Sequence, residues 1–350
     1  MKKIFAVVGA RPQFVKHAPM ELALKDQFHL KTIHTGQHYD KNMSDVFFEQ
    51  LQIRRPDFML NVGSHSHAVQ TAKMMMDIEE ILIKESPDGF LVYGDTNSTL
   101  AGALVASKLG IPVFHVEAGL RGYNKELPEE INRIMTDHIS SLLFAPTKVA
   151  VENLNKEGIE SGVHRSGDIM FDMALIAQEQ KITETNPYPK QTYYLCTIHR
   201  PYNVDEKDRL LKILNVLQNL KHKVVLPLHP RTKKSILTNG IPLSKYTNLM
   251  IKEPVSYFEN IALIKHAQAV ITDSGGVQKE TYFLKKKCIT LRSETEWVET
   301  LHNDWNHLLF EELETMQQHI DKTPGKFVED FYGTGKSAQV MAEIIRDFYE

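Results

Sequence analysis

Cysteine is scarce in this chain. Its 350 residues include two, Cys196 and Cys288, isolated and far apart in sequence, which excludes a disulfide scaffold. Long apolar runs are missing too. The first, residues 4–8, meets Gly9, Ala10 and Arg11 after five residues, shorter than a signal peptide requires. The richest later stretch, residues 100–116, is interrupted by Ser107, Lys108, Gly110 and Pro112, so no segment is expected to span a membrane, and a cytoplasmic location is expected. Neither sign of charge dominates: 41 Lys and Arg against 44 Asp and Glu leave −3 with histidine neutral. That balance argues against nucleic acid as a partner, though not against a small anion held by a local cluster of donors. The 16 histidines show no H-E-x-x-H or comparable ligand spacing, so no metal is expected.

What is present suits a globular α/β protein. Hydrophobic residues make up 42% and charged residues 24%, enough to fill a core in each of two domains at about 150 residues apiece. Short apolar runs at residues 4–8, 30–35, 90–93, 112–116 and 142–144 read as strands. They alternate with helix-patterned segments near 45–51, 69–84, 98–109, 129–139 and 149–157. A polar, proline-containing stretch at 183–190 is the best linker candidate. The alternation then restarts, with strands at 193–198, 224–228, 249–252, 269–272 and 288–291, helices near 206–220, 257–265 and 277–284, and a terminal helix at 337–349. Continuous apolar strands between helices imply parallel sheets covered on both faces, hence two doubly wound domains. Met74-Met75-Met76 and the two tryptophans, Trp297 and Trp305, read as packing residues.

In doubly wound folds, ligands bind outside the C-terminal ends of the strands. Six polar segments stand at such places. Gly9-Ala10-Arg11-Pro12-Gln13-Phe14-Val15-Lys16 puts two cations in a strand-to-helix turn that also favours anions. It is neither a dinucleotide fingerprint nor a P-loop, and by itself it reads equally as a tight turn with two solvated cations. Asp95, in Tyr93-Gly94-Asp95-Thr96, is either a rim carboxylate or a helix N-cap. Glu117, in His115-Val116-Glu117-Ala118-Gly119-Leu120-Arg121, is the first polar residue past an apolar run. Glu129 and Glu130, after Pro128, begin a helix, where a carboxylate is favourable without any catalytic role. His199-Arg200-Pro201-Tyr202-Asn203 and His229-Pro230-Arg231 end successive strands of the second domain. Asp273-Ser274-Gly275-Gly276-Val277-Gln278-Lys279-Glu280 joins a strand to a helix in the manner of a phosphate-binding turn, and its Glu280 reads as a ribose ligand or a surface carboxylate.

Taken together and in this order, these segments resemble the non-hydrolysing UDP-N-acetylglucosamine 2-epimerase family over nearly the whole chain. The resemblance implies a GT-B type α/β fold, two doubly wound Rossmann-like domains facing across a cleft. Residues 1–180 with a returning helix at 335–350 would form the first domain, and residues 190–334 a UDP-binding second. It implies reversible inversion at C2 of a UDP-sugar substrate by elimination of UDP to a 2-acetamidoglucal and readdition, with no cofactor and with a homodimer as the assembly. By motif, Asp95, Glu117, Glu129 and His199 would be catalytic. Arg11, Lys16, His229, Arg231, Ser274, Gly275 and Gly276 would bind the diphosphate, and Glu280 the ribose. The chain departs from the family pattern at Gln13, commonly Glu, and at Pro201-Tyr202. At Asp40 and Tyr202 it departs from the segments (here containing Gln37-His38) that hold an allosteric UDP-sugar in some members. Asn260 stands where some members stack an aromatic on uracil, with Tyr257 or Phe258 as substitutes. UDP-GlcNAc to UDP-ManNAc is the expected reaction. UDP-2,3-diacetamido-2,3-dideoxy-glucuronic acid is the alternative substrate, since relatives acting on it resemble the Gly9–Phe14 segment. A hydrolysing epimerase, a GT-B glycosyltransferase and a non-enzymatic sensor are the other readings.

Overall fold

The computed structural model describes residues 1–36 and 53–350, and Arg11 by its backbone alone. The helix expected near 45–51 lies outside the described residues. The chain divides into two compact units, Met1–Met173 with Glu329–Glu350, and Ala174–Val328.

Unit 1 is built on seven strands: β1 (Lys3–Val8), β2 (His29–His34), β3 (Phe58–Met59), β4 (Gly89–Tyr93), β5 (Val113–Val116), β6 (Leu142–Ala145) and β7 (Val163–Arg165). They pair in the order β3-β2-β1-β4-β5-β6-β7, every pairing parallel. The order reverses between β1 and β4, which opens a crevice at their C-terminal ends. Phe5, Val7, Phe90 and Val92 form a core with Met74, Ile78 and Leu82 of the helix His67–Glu85. Each fully buried side chain of this size contributes roughly 1.5–3 kcal/mol. That helix buries one stripe, so the methionine run splits: Met74 is wholly buried and Met76 is 67% exposed. The helix Ser337–Asp347 belongs to unit 1. Its first amides, Ser337 N and Ala338 N, donate to the Asp172 carboxylate at 2.9 and 2.8 Å, and the Tyr349 hydroxyl just beyond it donates to the Asp88 carbonyl at 2.7 Å.

Unit 2 repeats the plan with β8 (Tyr193–Thr197), β9 (Lys223–Pro227), β10 (Leu249–Lys252), β11 (Ala269–Thr272), β12 (Lys287–Thr290) and β13 (Asn306–Leu308). The order is β10-β9-β8-β11-β12-β13, again all parallel, with its reversal between β8 and β11. Tyr194, Cys196, Leu226 and Ile271 pack against Leu210, Ile213, Leu214 and Leu217. The 183–190 stretch lies in this unit. Thr183 is buried, and its carbonyl meets His266 Nε2 at 3.1 Å. The strands not anticipated from sequence, β3, β7 and β13, are edge strands of two or three residues. The expected α/β class with two doubly wound sheets is the one observed.

Candidate active site

Unit 1 gathers its polar residues around the reversal of strand order. Beyond β1 the chain enters the helix Arg11–Leu24, with proline in the first turn, where its missing N–H costs nothing. The Gln13 side chain fastens this turn to the neighbouring strand. Its oxygen accepts from Gly9 N (2.8 Å) and Ala10 N (3.1 Å), while its amide donates to the Tyr93 carbonyl at the end of β4 and to Thr99 Oγ1, both at 3.0 Å. Lys16, a turn further along, forms an ion pair with Glu117. Gly94 has a left-handed φ of 62°, and a Cβ there would press on Lys16 Nζ and Glu117 Oε2 at 3.1 and 3.3 Å. Glycine therefore lets these charges approach the strand end.

Asp95 is not the helix cap that its position allows. Thr96 is the N-cap, accepting from Thr99 N. The Asp95 carboxylate instead meets Arg133 Nη1 at 2.5 Å, and its backbone carbonyl accepts from Asn132 at 2.9 Å. Burial pushes the Asp95 carboxyl above the usual range. Arg133 and Lys16 pull against this, and Glu117 and Glu129 add to it. Glu117 is buried and holds a φ of 72°, a left-handed conformation that costs a non-glycine residue about 1–3 kcal/mol. Its amide and that of Ala118 both donate to the Phe144 carbonyl at 3.1 Å. The two glutamates after Pro128 separate sharply. Glu129 is exposed. Glu130 is buried, accepts from the amides of Gly122 (3.0 Å) and Tyr123 (2.9 Å), and is bridged to Arg133 at 2.6 Å. Glu130 thus holds a loop, and Glu129 stands in solvent beside it.

In unit 2 the two strands at the reversal carry His199 and Asp273. The buried Asp273 carboxylate accepts from the amides of His199 (3.0 Å) and Arg200 (2.9 Å) and from Asn203 Nδ2 (3.1 Å). His199 Nδ1 lies 3.2 Å from the same carboxylate, which fixes the proton on Nδ1 and turns Nε2 outward. Burial lowers the His199 pKa; Asp273 raises it, and Arg200 and Arg231 add to the lowering. The His229 ring is tilted against His199, centroids 4.8 Å apart, and accepts at Nδ1 from Arg231 N (3.2 Å), which leaves Nε2 as its donor. Arg231 is exposed and paired with Asp205 through two bonds of 2.9 and 2.5 Å. Ser274 stands at the N-cap position of the helix Gly275–Phe283, and its side chain makes no capping bond there. A Cβ on Gly275 would meet the Glu296 carboxylate at 2.6 Å, whereas Gly276 has open space where a Cβ would be, so a ligand can reach the backbone there. Glu280 is buried and receives a 3.4 Å bond from Asn260. Tyr257 and Phe258 are buried, rings edge to face at 5.8 Å.

The structure brings Lys16, Asp95 and Glu117 together in unit 1, and His199 and His229 in unit 2. The Arg11 side chain and residues Gln37, His38 and Asp40 are outside what it describes. Sequence reasoning missed the partners: Arg133 beside Asp95, and Asp273 under His199, although Asp273 stood inside a quoted motif. It also passed over two arginines of unit 2. Arg200 Nε and Arg292 Nη1 are buried with no hydrogen-bond partner among the described residues, donors suited to an anion. Among the described residues, no three His, Cys, Asp or Glu side chains are grouped to hold a metal ion. No described helix is long and apolar enough to cross a membrane.

Comparison with known proteins gives the following. The family model described as UDP-N-acetylglucosamine 2-epimerase matches residues 20–346. A Methanococcus maripaludis protein named as a UDP-N-acetylglucosamine 2-epimerase homolog is 46% identical, with 99% of both sequences covered. The UDP-2,3-diacetamido-2,3-dideoxy-D-glucuronate 2-epimerase of Pseudomonas aeruginosa is 43% identical over 98% of this chain and 99% of its own. The crystal structure of Methanocaldococcus jannaschii UDP-GlcNAc 2-epimerase, in complex with UDP-GlcNAc and UDP, superposes with a TM-score of 0.89 at 40% identity, covering 99% of each chain.

Proposed function

The chain belongs to the UDP-N-acetylglucosamine 2-epimerase family, and from that premise we propose that it inverts C2 of a UDP-2-acetamido sugar, UDP-GlcNAc to UDP-ManNAc being the first substrate pair to test. The observation that carries this reading is a pair of carboxylates, Asp95 and Glu117, just past the adjacent parallel strands β4 and β5, each against its own cation. The C2 hydrogen of a nucleotide sugar is not next to a carbonyl and is weakly acidic. Expelling UDP from C1 while a carboxylate takes the C2 proton gives a 2-acetamidoglucal and UDP. Returning a proton to the opposite face and UDP to C1 completes the inversion, with atoms conserved and no redox cofactor consumed. Two carboxylates in different surroundings allow one to act as base and the other as acid. Asp95 and Glu117 share the acid and base roles, and Glu129 adds negative charge beside the developing positive anomeric centre. Lys16 and Arg11 serve the substrate's anionic part from unit 1. In unit 2 His199 Nε2 meets the departing diphosphate, which His229, Arg231 and the Ser274-Gly275-Gly276 turn hold, and Glu280 takes the ribose.

The 43% identical P. aeruginosa glucuronate enzyme supports UDP-2,3-diacetamido-2,3-dideoxy-glucuronic acid as the second candidate substrate. Incubating each nucleotide sugar in D2O tests both. Epimer with deuterium at C2 is expected. Free sugar plus UDP as the only product would favour the hydrolysing reading, and no turnover of either sugar would refute epimerisation. Glu117→Gln should nearly abolish C2 exchange while UDP still binds.

A homodimer in the cytoplasm is part of the same proposal. On the helix His67–Glu85, Val69, Met76 and Ile83 are 46, 67 and 63% exposed and recur every seven residues. Antiparallel pairing of two copies about Met76 sets Val69 against Ile83 and Lys73 against Glu79, a self-complementary surface. Met76→Glu should shift the sedimentation coefficient to that of a monomer.

A further inference from the structure

Beneath the two reactive carboxylates lies a buried ionic cluster that the catalytic reading does not use. His115, on β5, is wholly buried. Its Nδ1 is 2.7 Å from Asp137 Oδ1, and its Nε2 is 2.8 Å from the Gly94 carbonyl. Burial opposes charge on Asp137, yet His115 and Arg121 hold its pKa below the usual carboxylate range. Asp137 therefore accepts. The His115 ring thus bridges the Asp137 carboxylate and the Gly94 carbonyl. The other oxygen of Asp137 takes the Gly119 amide at 3.1 Å and Arg121 Nη1 at 2.7 Å, and Arg121 is locked from its far side by Glu157 at 2.7 and 2.8 Å.

One carboxylate thus reaches both loops. Through His115 it grips Gly94, the residue before Asp95. Through Gly119 and Arg121 it grips the loop that carries Glu117 in its left-handed conformation. Strained backbone of this kind persists only where surrounding bonds over-determine it. We propose that Asp137 and His115 are positioning residues that set the separation of Asp95 from Glu117, so that proton removal at C2 and proton return from the other face stay coupled.

The inference rests on the epimerase reading, and the experiment separates the two. Asparagine places its amide near the Nδ1 position of histidine, and glutamine near the Nε2 position. His115→Asn keeps the bond to Asp137 and drops the one to Gly94; His115→Gln does the reverse. Per folded chain, measured against UDP binding, His115→Asn should lower kcat roughly tenfold to hundredfold, the scale for misplacement near 1 Å. KM should stay within about threefold. The ratio of released 2-acetamidoglucal and UDP to deuterated epimer should rise, which lost stability alone would not produce. His115→Gln should fall between wild type and His115→Asn. An unchanged product ratio in His115→Asn overturns the proposal, whatever its kcat. If that chain does not fold, Asp137→Asn is read in the same way. If Glu117→Gln retains C2 exchange, the epimerase site itself is misassigned. If it abolishes exchange while His115→Asn behaves as wild type, only the positioning role fails.

Discussion

Asp273→Asn tests the candidate residues of unit 2 most sharply. The carboxylate takes the His199 amide, the Arg200 amide, Asn203 Nδ2 and His199 Nδ1 at 2.9–3.2 Å, all in a position with no solvent access. An asparagine oxygen in the Oδ2 place keeps the bonds to Arg200 and Asn203. Its NH2 then points at His199 Nδ1, which can only answer as an acceptor, so the imidazole loses its charge-assisted partner and shifts its hydrogen to Nε2. A hydrogen bond to a charged group is worth about 1.5–3 kcal/mol, which converts to roughly ten- to hundredfold. Asp273 raises the His199 pKa and burial lowers it, so removing the carboxylate lowers the pKa further. In the role proposed for His199 at the leaving diphosphate, the protonated imidazole is then scarcer at any given pH. The alkaline limb of kcat should move to lower pH, and the loss should be larger near about pH 8 than near about pH 6. The assay is the initial rate of deuterium entry at C2 across that range, with KM measured alongside. In a His199→Gln background the same substitution should cause little further loss of kcat. A kcat within about twofold of wild type, an unmoved alkaline limb, or full additivity in the cycle would each refute the dyad.

Three further outcomes follow from the geometry. Glu130→Gln discards the charge that faces Arg133 and sets an NH2 donor where one of two buried oxygens accepts from Gly122 or Tyr123, and should cost about 3 kcal/mol, lowering Tm by roughly 6–12 °C in calorimetry; exposed Glu129→Gln should leave Tm unchanged yet slow turnover. His17 is buried between Tyr93 OH (2.8 Å) and Thr32 Oγ1 (3.0 Å), and burial lowers its pKa to about 4. Because the unfolded chain takes up this proton near pH 6.5 and the folded chain does not until about pH 4, stability is full above that window and falls through it on acidification, by up to about 3 kcal/mol. Urea unfolding at several pH values should show that loss, shallower in His17→Gln. Arg231→Ala breaks an exposed pair with Asp205, so stability should move by less than about 1 kcal/mol, while UDP affinity measured by calorimetry should fall roughly tenfold.

The central strands were legible because parallel strands covered on both faces are continuous apolar runs. β3, β7 and β13 were not, since an edge strand of two or three residues pairs on one side and needs no such run. The helix Arg11–Leu24 carries Pro19 in its interior and lacks a clean apolar stripe, so periodicity did not mark its extent. The site was legible as a set of strand-end loops, and what holds those loops was not. A parallel strand that ends leaves its following amides without ladder partners, and buried amides must find acceptors. Here side chains supply them: Gln13 for Gly9 and Ala10, Glu130 for Gly122 and Tyr123, Asp137 for Gly119, and Asp273 for His199 and Arg200. Spacing could not reveal these pairs, since Asp273 lies 74 residues from His199 and Asp137 lies 22 from His115. It is the same reason that Glu129 and Glu130 look alike in sequence. Glu130 closes a loop and Glu129 is left exposed, and the fold decides which.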